Sequence, residues 1–163
     1  MNSDSFVLRK ITTSTITEEQ FNEIVALEQD SGLEPYTSEL LKVDLDELDT
    51  WAFLDGEHIA GFITVTDEEW YFEGDLYILN INIGKAWRHR GLGIRLINKA
   101  VSMHPDCLNI TLDVELDNTA AMNLYHKLGF RKIDLVSNNG DTDIVMRNTG
   151  ENCLRNCENT HIN

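Results

Sequence analysis

The chain has 163 residues, with 28 acidic against 13 basic side chains, a formal net charge of −15 and 42% hydrophobic residues. That length and composition suit one globular domain with a real core, and the acidic balance argues against nucleic acid as a partner, since phosphate binding needs a broad basic surface. No apolar run approaches the roughly 18 residues of a membrane span, and the opening MNSDSFVLRK lacks an apolar signal core, so no membrane partner and a cytoplasmic address are expected.

In chain order, Ser5 to Ile11 alternates as a short strand. Thr17-Glu18-Glu19-Gln20 has the form of a capping box, and Phe21, Ile24, Val25 and Leu27 give one apolar helical face that stops near Ser31-Gly32. A Pro-containing loop, Leu33 to Thr37, leads to a second short helix from Ser38 to about Val43, with Asp44 to Asp49 as an acidic connector. Trp51 to Leu54 and Ile59 to Thr66 are apolar runs joined by Asp55-Gly56, the signal of a tight hairpin. Asp67 to Gly74 is an acidic aromatic turn. From Ile11 to Gly84 there are 18 Asp and Glu against a single basic residue, Lys42. This half is either a solvated acidic face or a field that draws in a cationic acceptor.

Leu76 to Ile83 is rich in β-branched residues and reads as a strand. After Gly91 the period changes, and Ile94, Ile97 and Val101, backed by Leu96 and Ala100, predict a helix ending near His104-Pro105. Between them stands Arg88-His89-Arg90-Gly91-Leu92-Gly93. Glycine allows a sharp turn and close backbone approach, and the unpaired N–H groups of a new helix favour an anion there. Lys85, Arg88, Arg90, Arg95 and Lys99 stand in this stretch without one acid among them, so the turn reads as a diphosphate cradle.

Leu108 to Val114 predicts a further strand, and Asp117-Asn118 opens a helix through Ala121, Leu124, Tyr125 and Leu128, ended by Gly129. Arg131 to Val136 and Asp143 to Arg147 read as closing strands around Ser137-Asn138-Asn139-Gly140. From Asn148 onward the chain is polar and aperiodic, which predicts one domain over 1–148 and a loose tail over 149–163. The expected order is β-α-α-β-β-β-α-β-α-β-β, an α/β fold with a mixed sheet and helices on its faces. Cys107, Cys153 and Cys157 form neither a disulfide framework nor a metal spacing, and Cys107 is expected in the core or at its boundary. His58, His89, His104, His126 and His161 are scattered, so no metal is expected.

The spacing Arg88-x-x-Gly91-x-Gly93 after a strand resembles the acetyl-CoA signature of the GNAT superfamily of N-acetyltransferases. The block LDVELDNTAAMNLYHKLGF is similar to the second half of the GNAT core, and the two motifs stand in the right order. The resemblance implies the single-domain GNAT acyl-CoA N-acyltransferase fold, acetyl-CoA as cosubstrate, and direct acetyl transfer to a primary amine in a ternary complex. It places cofactor contacts on Ile81, Asn82, Ile83, Arg88, His89, Arg90, Gly91, Leu92, Gly93, Ile94 and Asn118. The backbone of Ile81-Asn82-Ile83 would hold the thioester carbonyl, and Tyr125, also against the cofactor, would return a proton to the CoA thiolate.

Asn82 and Lys85 depart from the family pattern, which usually has a small or apolar residue and a proline there. Asp113 lies where ribosomal-protein N-terminal acetyltransferases, a GNAT subgroup, commonly place a Glu as base, and Glu115 on the same strand face is the substitute candidate. Glu28 to Leu41 faintly resembles the helix-loop-helix region of N-terminal protein acetyltransferases. The acceptor stays open among a protein N-terminus, a lysine and a cationic small molecule, and the assembly stays open between monomer and homodimer. The alternative reading is a CoA-binding regulatory or interaction module without turnover.

Overall fold

The computed structural model describes residues 5–30, 37–69, 72–138 and 140–149. The element order is β1 (Phe6–Lys10), α1 (Glu18–Asp30), α2 (Ser38–Glu47), β2 (Asp49–Asp55), β3 (His58–Thr66), β4 (Asp75–Ile83), α3 (Leu92–Met103), β5 (Asn109–Glu115), α4 (Thr119–Lys127), β6 (Arg131–Asn138) and β7 (Asp141–Thr149), with a 3-10 turn at Lys85–Trp87. This is the predicted order. The seven strands form one mixed sheet in the order β1-β2-β3-β4-β5-β7-β6. No helix among the described residues is long and apolar enough to cross a membrane.

The backbone groups into two compact units, Met1–Thr66 with Leu79–Ala100 and Asp67–Ile78 with Val101–Asn163. In the first unit β1 pairs antiparallel with β2, and β2 with β3. The capping box closes both ways: Thr17 Oγ1 accepts from the Gln20 N–H at 3.1 Å, and Gln20 Oε1 accepts from the Thr17 N–H at 3.0 Å. Ile24, Leu41 and Leu45 then bury against Ile11, Ala52, Leu54, Ile59 and Phe62. The helix α2 runs to Glu47, past the expected Val43, because Leu45 repeats the Leu41 position one turn on and both are buried. Asp44–Glu47 is therefore helix, where a connector was expected.

Alternation along β2 sets Trp51 and Phe53 on the face opposite Ala52. The α3 helix covers that face, with Arg95 over the Phe53 ring at 4.8 Å and Lys99 over the Trp51 ring at 4.7 Å. Two of the five cations of the basic stretch are thus spent on aromatic packing, and the exposed Lys85, Arg88 and Arg90 supply the charge at the turn.

In the second unit β4 and β5 pair in parallel through Asp75–Asn109, Leu76–Ile110 and Tyr77–Thr111. Asp75 anchors this ladder. It is 3% exposed and accepts from Arg147 Nε at 2.9 Å and Nη2 at 2.8 Å, Thr111 Oγ1 at 2.6 Å and Asn109 Nδ2 at 3.0 Å. A carboxylate paired this fully recovers much of its desolvation cost. Both closing strands run beyond their expected ends. Asn148, just past the expected end of the last strand at Arg147, lies in β7, where it is 1% exposed and donates from Nδ2 to the Leu128 carbonyl at 3.0 Å. Cys107 is half-buried, at a boundary. The expected helix stop at Ser31-Gly32, most of the Pro-containing loop, Asn139, the tail beyond Thr149 and its Cys153, Cys157 and His161 lie outside the described residues.

Candidate active site

In the first unit the candidate cradle begins where β4 ends. The Gly84 N–H donates to the Ala60 carbonyl at 2.8 Å, and a Cβ at Gly84 would stand 2.8 Å from the Trp87 ring. Trp87 in turn donates from Nε1 to Asp55 Oδ2 at 2.9 Å, which pins the 3-10 turn to the β2 end. Where a proline is usual, Lys85 opens this short helical turn. Gly61 permits a second close approach: a Cβ there would stand 2.8 Å from the Asn82 carbonyl oxygen and 2.5 Å from Ile83 Cδ1. The half-buried segment Ile81-Asn82-Ile83 is thus held firmly from the β3 side.

The turn itself is exposed from Arg88 to Gly91. His89 has φ 63° and Gly91 φ 73°, so the chain bends through two left-handed residues before α3 starts. Among the described residues, apart from its own chain neighbours and helix backbone, nothing stands within 4 Å of a Cβ placed at Gly91 or Gly93, so the space over the turn is open to a ligand. The first N–H groups of α3, at Leu92, Gly93 and Ile94, are those an α-helix leaves without intrahelical acceptors. Leu92 is buried and Ile94 half-buried, which fixes that end of the helix. The Arg88 side chain folds back, donating from Nε to the Ile83 carbonyl at 3.1 Å, and so caps the end of β4. Such a turn can bind an anion through backbone N–H groups with arginines at its rim.

In the second unit the structure brings together two of the predicted residues, Asp113 and Tyr125, and one that was missed. Asp113 on β5 is half-buried and its Oδ1 accepts a hydrogen bond from the Tyr77 hydroxyl. Tyr77, on the first half of β4, is 6% exposed and was not singled out from the sequence. The signal lay in register: Tyr77 pairs with Thr111, so the residue two further along β5 presents its side chain on the same face.

Tyr125 on α4 packs edge-to-face on Phe130, with ring centroids 5.9 Å apart. Burial, and then the charge of Asp113, push its phenol up to about 12. The value is above the ordinary 10 assumed from the sequence, because the anion would be desolvated and would face a carboxylate. The phenol therefore holds its proton at neutral pH and can act as a donor. Glu115 is exposed at the end of β5. Asn118 caps α4, its side chain accepting from the Ala121 N–H at 3.1 Å. Of the apolar residues along α4 and its end, Ala121, Tyr125 and Leu128 are half-buried, while Leu124 is 54% exposed. Among the described residues no group of His, Cys, Asp and Glu could hold a metal ion.

Known proteins match both halves of this arrangement. N-alpha-acetyltransferase 30 of Xenopus laevis is 34% identical over 56 residues, which span 33% of this chain and 20% of that protein. The ribosomal-protein-S18-alanine N-acetyltransferase of Escherichia coli superposes with TM-score 0.69 at 17% identity, covering 88% of this chain and 93% of that one. NAA60 of Arabidopsis thaliana in complex with acetyl-CoA does so with TM-score 0.68 at 21% identity, covering 90% and 99%. At these identities the two structures show a shared fold. The family model described as acetyltransferase (GNAT) matches residues 17–130, from the N-cap of α1 through both motif-bearing helices, and the chain belongs to that family.

Proposed function

We propose that the protein is an acetyl-CoA-dependent N-acetyltransferase that moves the acetyl group directly to a primary amine. The observation that carries this is the open, left-handed turn at Gly91 leading into α3, with Arg88, His89 and Arg90 at its exposed rim. It suits the diphosphate of coenzyme A, whose charge would meet the backbone donors of Leu92, Gly93 and Ile94. The structure of the similar NAA60 was determined with acetyl-CoA.

In this reading the amine nitrogen attacks the thioester carbonyl, whose developing oxyanion is held by backbone N–H of Ile81-Asn82-Ile83. The C–S bond then breaks, the thiolate takes its proton from Tyr125, and the proton lost by the amine goes to Asp113, directly or through one water. Tyr77, donating to Asp113, holds that carboxylate in one orientation. Asn118, besides capping α4, contacts the pantetheine arm. Glu115 stands at the strand end as the alternative base. Among acceptor classes, a protein N-terminus is favoured by the names of the curated relatives, the N-alpha-acetyltransferases 30, and of the similar ribosomal-protein-S18-alanine N-acetyltransferase.

The test joins calorimetry with acetyl-CoA to thiol release in the presence of a peptide with a free N-terminus, an N-acetylated lysine peptide or spermidine. Binding heat, and thiol release with at least one amine, are the expected results. Absence of heat at saturating acetyl-CoA would refute the proposal, and heat with silence toward every amine would make the protein a binding module.

A further inference from the structure

Along the α1 side of β4 the first unit carries a buried polar row that the mechanism above does not use. Glu28, near the C-terminal end of α1, is 4% exposed, and its Oε1 accepts from Asn82 Nδ2 at 2.5 Å. Asn80, two residues earlier on β4, puts its side chain on the same strand face as Asn82. It is 8% exposed, and its Nδ2 has no hydrogen-bond partner among the described residues. A buried amide donor without a partner is destabilising, and a ligand oxygen can supply the missing acceptor.

An ionised carboxylate can only accept hydrogen bonds. Glu28 therefore dictates which end of the Asn82 carboxamide faces it: Nδ2 turns toward Glu28, and Oδ1 is turned away. We propose that Glu28 is a positioning residue, one that presents the Asn82 carboxamide oxygen as the hydrogen-bond acceptor for the amine of the acetyl acceptor. This rests on the acetyltransferase reading given above. Asn80 complements it, offering an N–H to an oxygen carried on the same acceptor molecule. The ligand class is thus an amine with a hydrogen-bond-accepting oxygen a few bonds away.

Protonation of Glu28 would reverse the polarity. A carboxylic acid adds an O–H donor beside its carbonyl acceptor, so Asn82 is no longer held and can turn its oxygen inward, leaving an N–H facing outward, which repels an ammonium or amine hydrogen. Burial, with the charge of Asp44 on α2 added and the Asn82 hydrogen bond opposing, raises the Glu28 pKa to about 7, so both forms exist near neutrality. Ionisation falls from about nine-tenths at pH 8 to about one-tenth at pH 6, and the apparent acceptor affinity falls with it.

The Asn82 side-chain amide resonances of ¹⁵N-labelled protein should titrate with a midpoint near 7, and should stay flat in Glu28→Gln. With whichever of the peptide, lysine peptide or spermidine turns over, the ratio of the wild-type acceptor KM to that of Glu28→Gln should be about tenfold higher at pH 6 than at pH 8, the titration of the acceptor amine being common to both proteins. The KM for acetyl-CoA should be the same in the two proteins at each pH. The wild-type titration needs no variant, so a poorly folding substitution does not blunt the test. A flat wild-type Asn82 signal overturns the proposal. A titrating signal with a pH-independent ratio of acceptor KM values overturns the acceptor role. If no amine is acetylated, the acetyltransferase reading and the acceptor role fall together, while the resonances still show whether Glu28 governs the amide.

Discussion

Glu28 also makes a quantitative prediction about stability that is independent of any ligand. Its carboxyl is raised from the ordinary 4.5 to about 7 by burial. Each tenfold change in proton affinity is about 1.4 kcal/mol, so ionised Glu28 lowers the stability of the folded state by about 3 kcal/mol relative to a solvated glutamate. The folded protein binds this proton more tightly than the unfolded chain does. Between pH 4.5 and 7 the folded state therefore carries more protons, and this group's contribution to stability falls as pH rises through that window. Glu28→Gln removes the ionisation while keeping an oxygen that can accept from Asn82. The variant should match the wild type near pH 4.5 and exceed it by up to about 3 kcal/mol at pH 8, or about 6–12 °C in Tm for a chain of this size. Urea denaturation of both proteins at several pH values reads the difference directly, because the other titrating groups cancel between them. A difference that is constant with pH, or a variant less stable at pH 8, would refute the burial argument.

Three further outcomes follow from other parts of the fold. Replacing Asp75 with Ala strips four donor contacts from one carboxylate and leaves the Arg147 guanidinium without its partner; a loss of about 3–5 kcal/mol in chemical denaturation is expected, and a loss under about 1 kcal/mol would contradict it. Tyr125→Phe should lower kcat by about 10²–10⁴-fold while leaving the calorimetric affinity for acetyl-CoA nearly unchanged; full activity would remove the proton-donor role. Gly91→Ala forces a Cβ into a left-handed conformation at φ 73° and into the open space over the turn, so it should cost about 1–2 kcal/mol of stability and weaken acetyl-CoA binding, and calorimetry showing wild-type affinity would contradict the cradle.

What the sequence made legible is what is encoded locally. The capping box at Thr17, the Asp55-Gly56 hairpin and the switch from strand to helix period at Gly91 are each written within a few residues, and each forms as read. The errors fall at element ends, where a distant surface decides. The α2 helix continues through Asp44–Glu47 although that stretch is acidic, because Leu45 has a core to enter. The composition turns polar at Asn148, yet its amide donates to the Leu128 carbonyl 20 residues away, and β7 runs past its expected end at Arg147.

The residues the sequence reading missed share one property: their meaning lies in a partner far along the chain. Tyr77 is an ordinary strand aromatic until Asp113, 36 positions on, accepts its hydroxyl. Glu28 is one of 18 acids in an acidic half, and its burial and its bond to Asn82, 54 positions on, separate it from the solvated ones. The two cases reinforce each other, because each partner already stood out. Asn82 departs from the small or apolar residue expected from the family resemblance, and Asp113 is one methylene shorter than the Glu expected there. A departure at such a position calls for a partner, and each has one: the Glu28 carboxylate accepts from the Asn82 amide, and the Tyr77 phenol donates to the Asp113 carboxylate. Unusual residues in a recognised motif are therefore the places from which to search for the rest of a site, since burying a polar group there is tolerated only where something distant in sequence satisfies it.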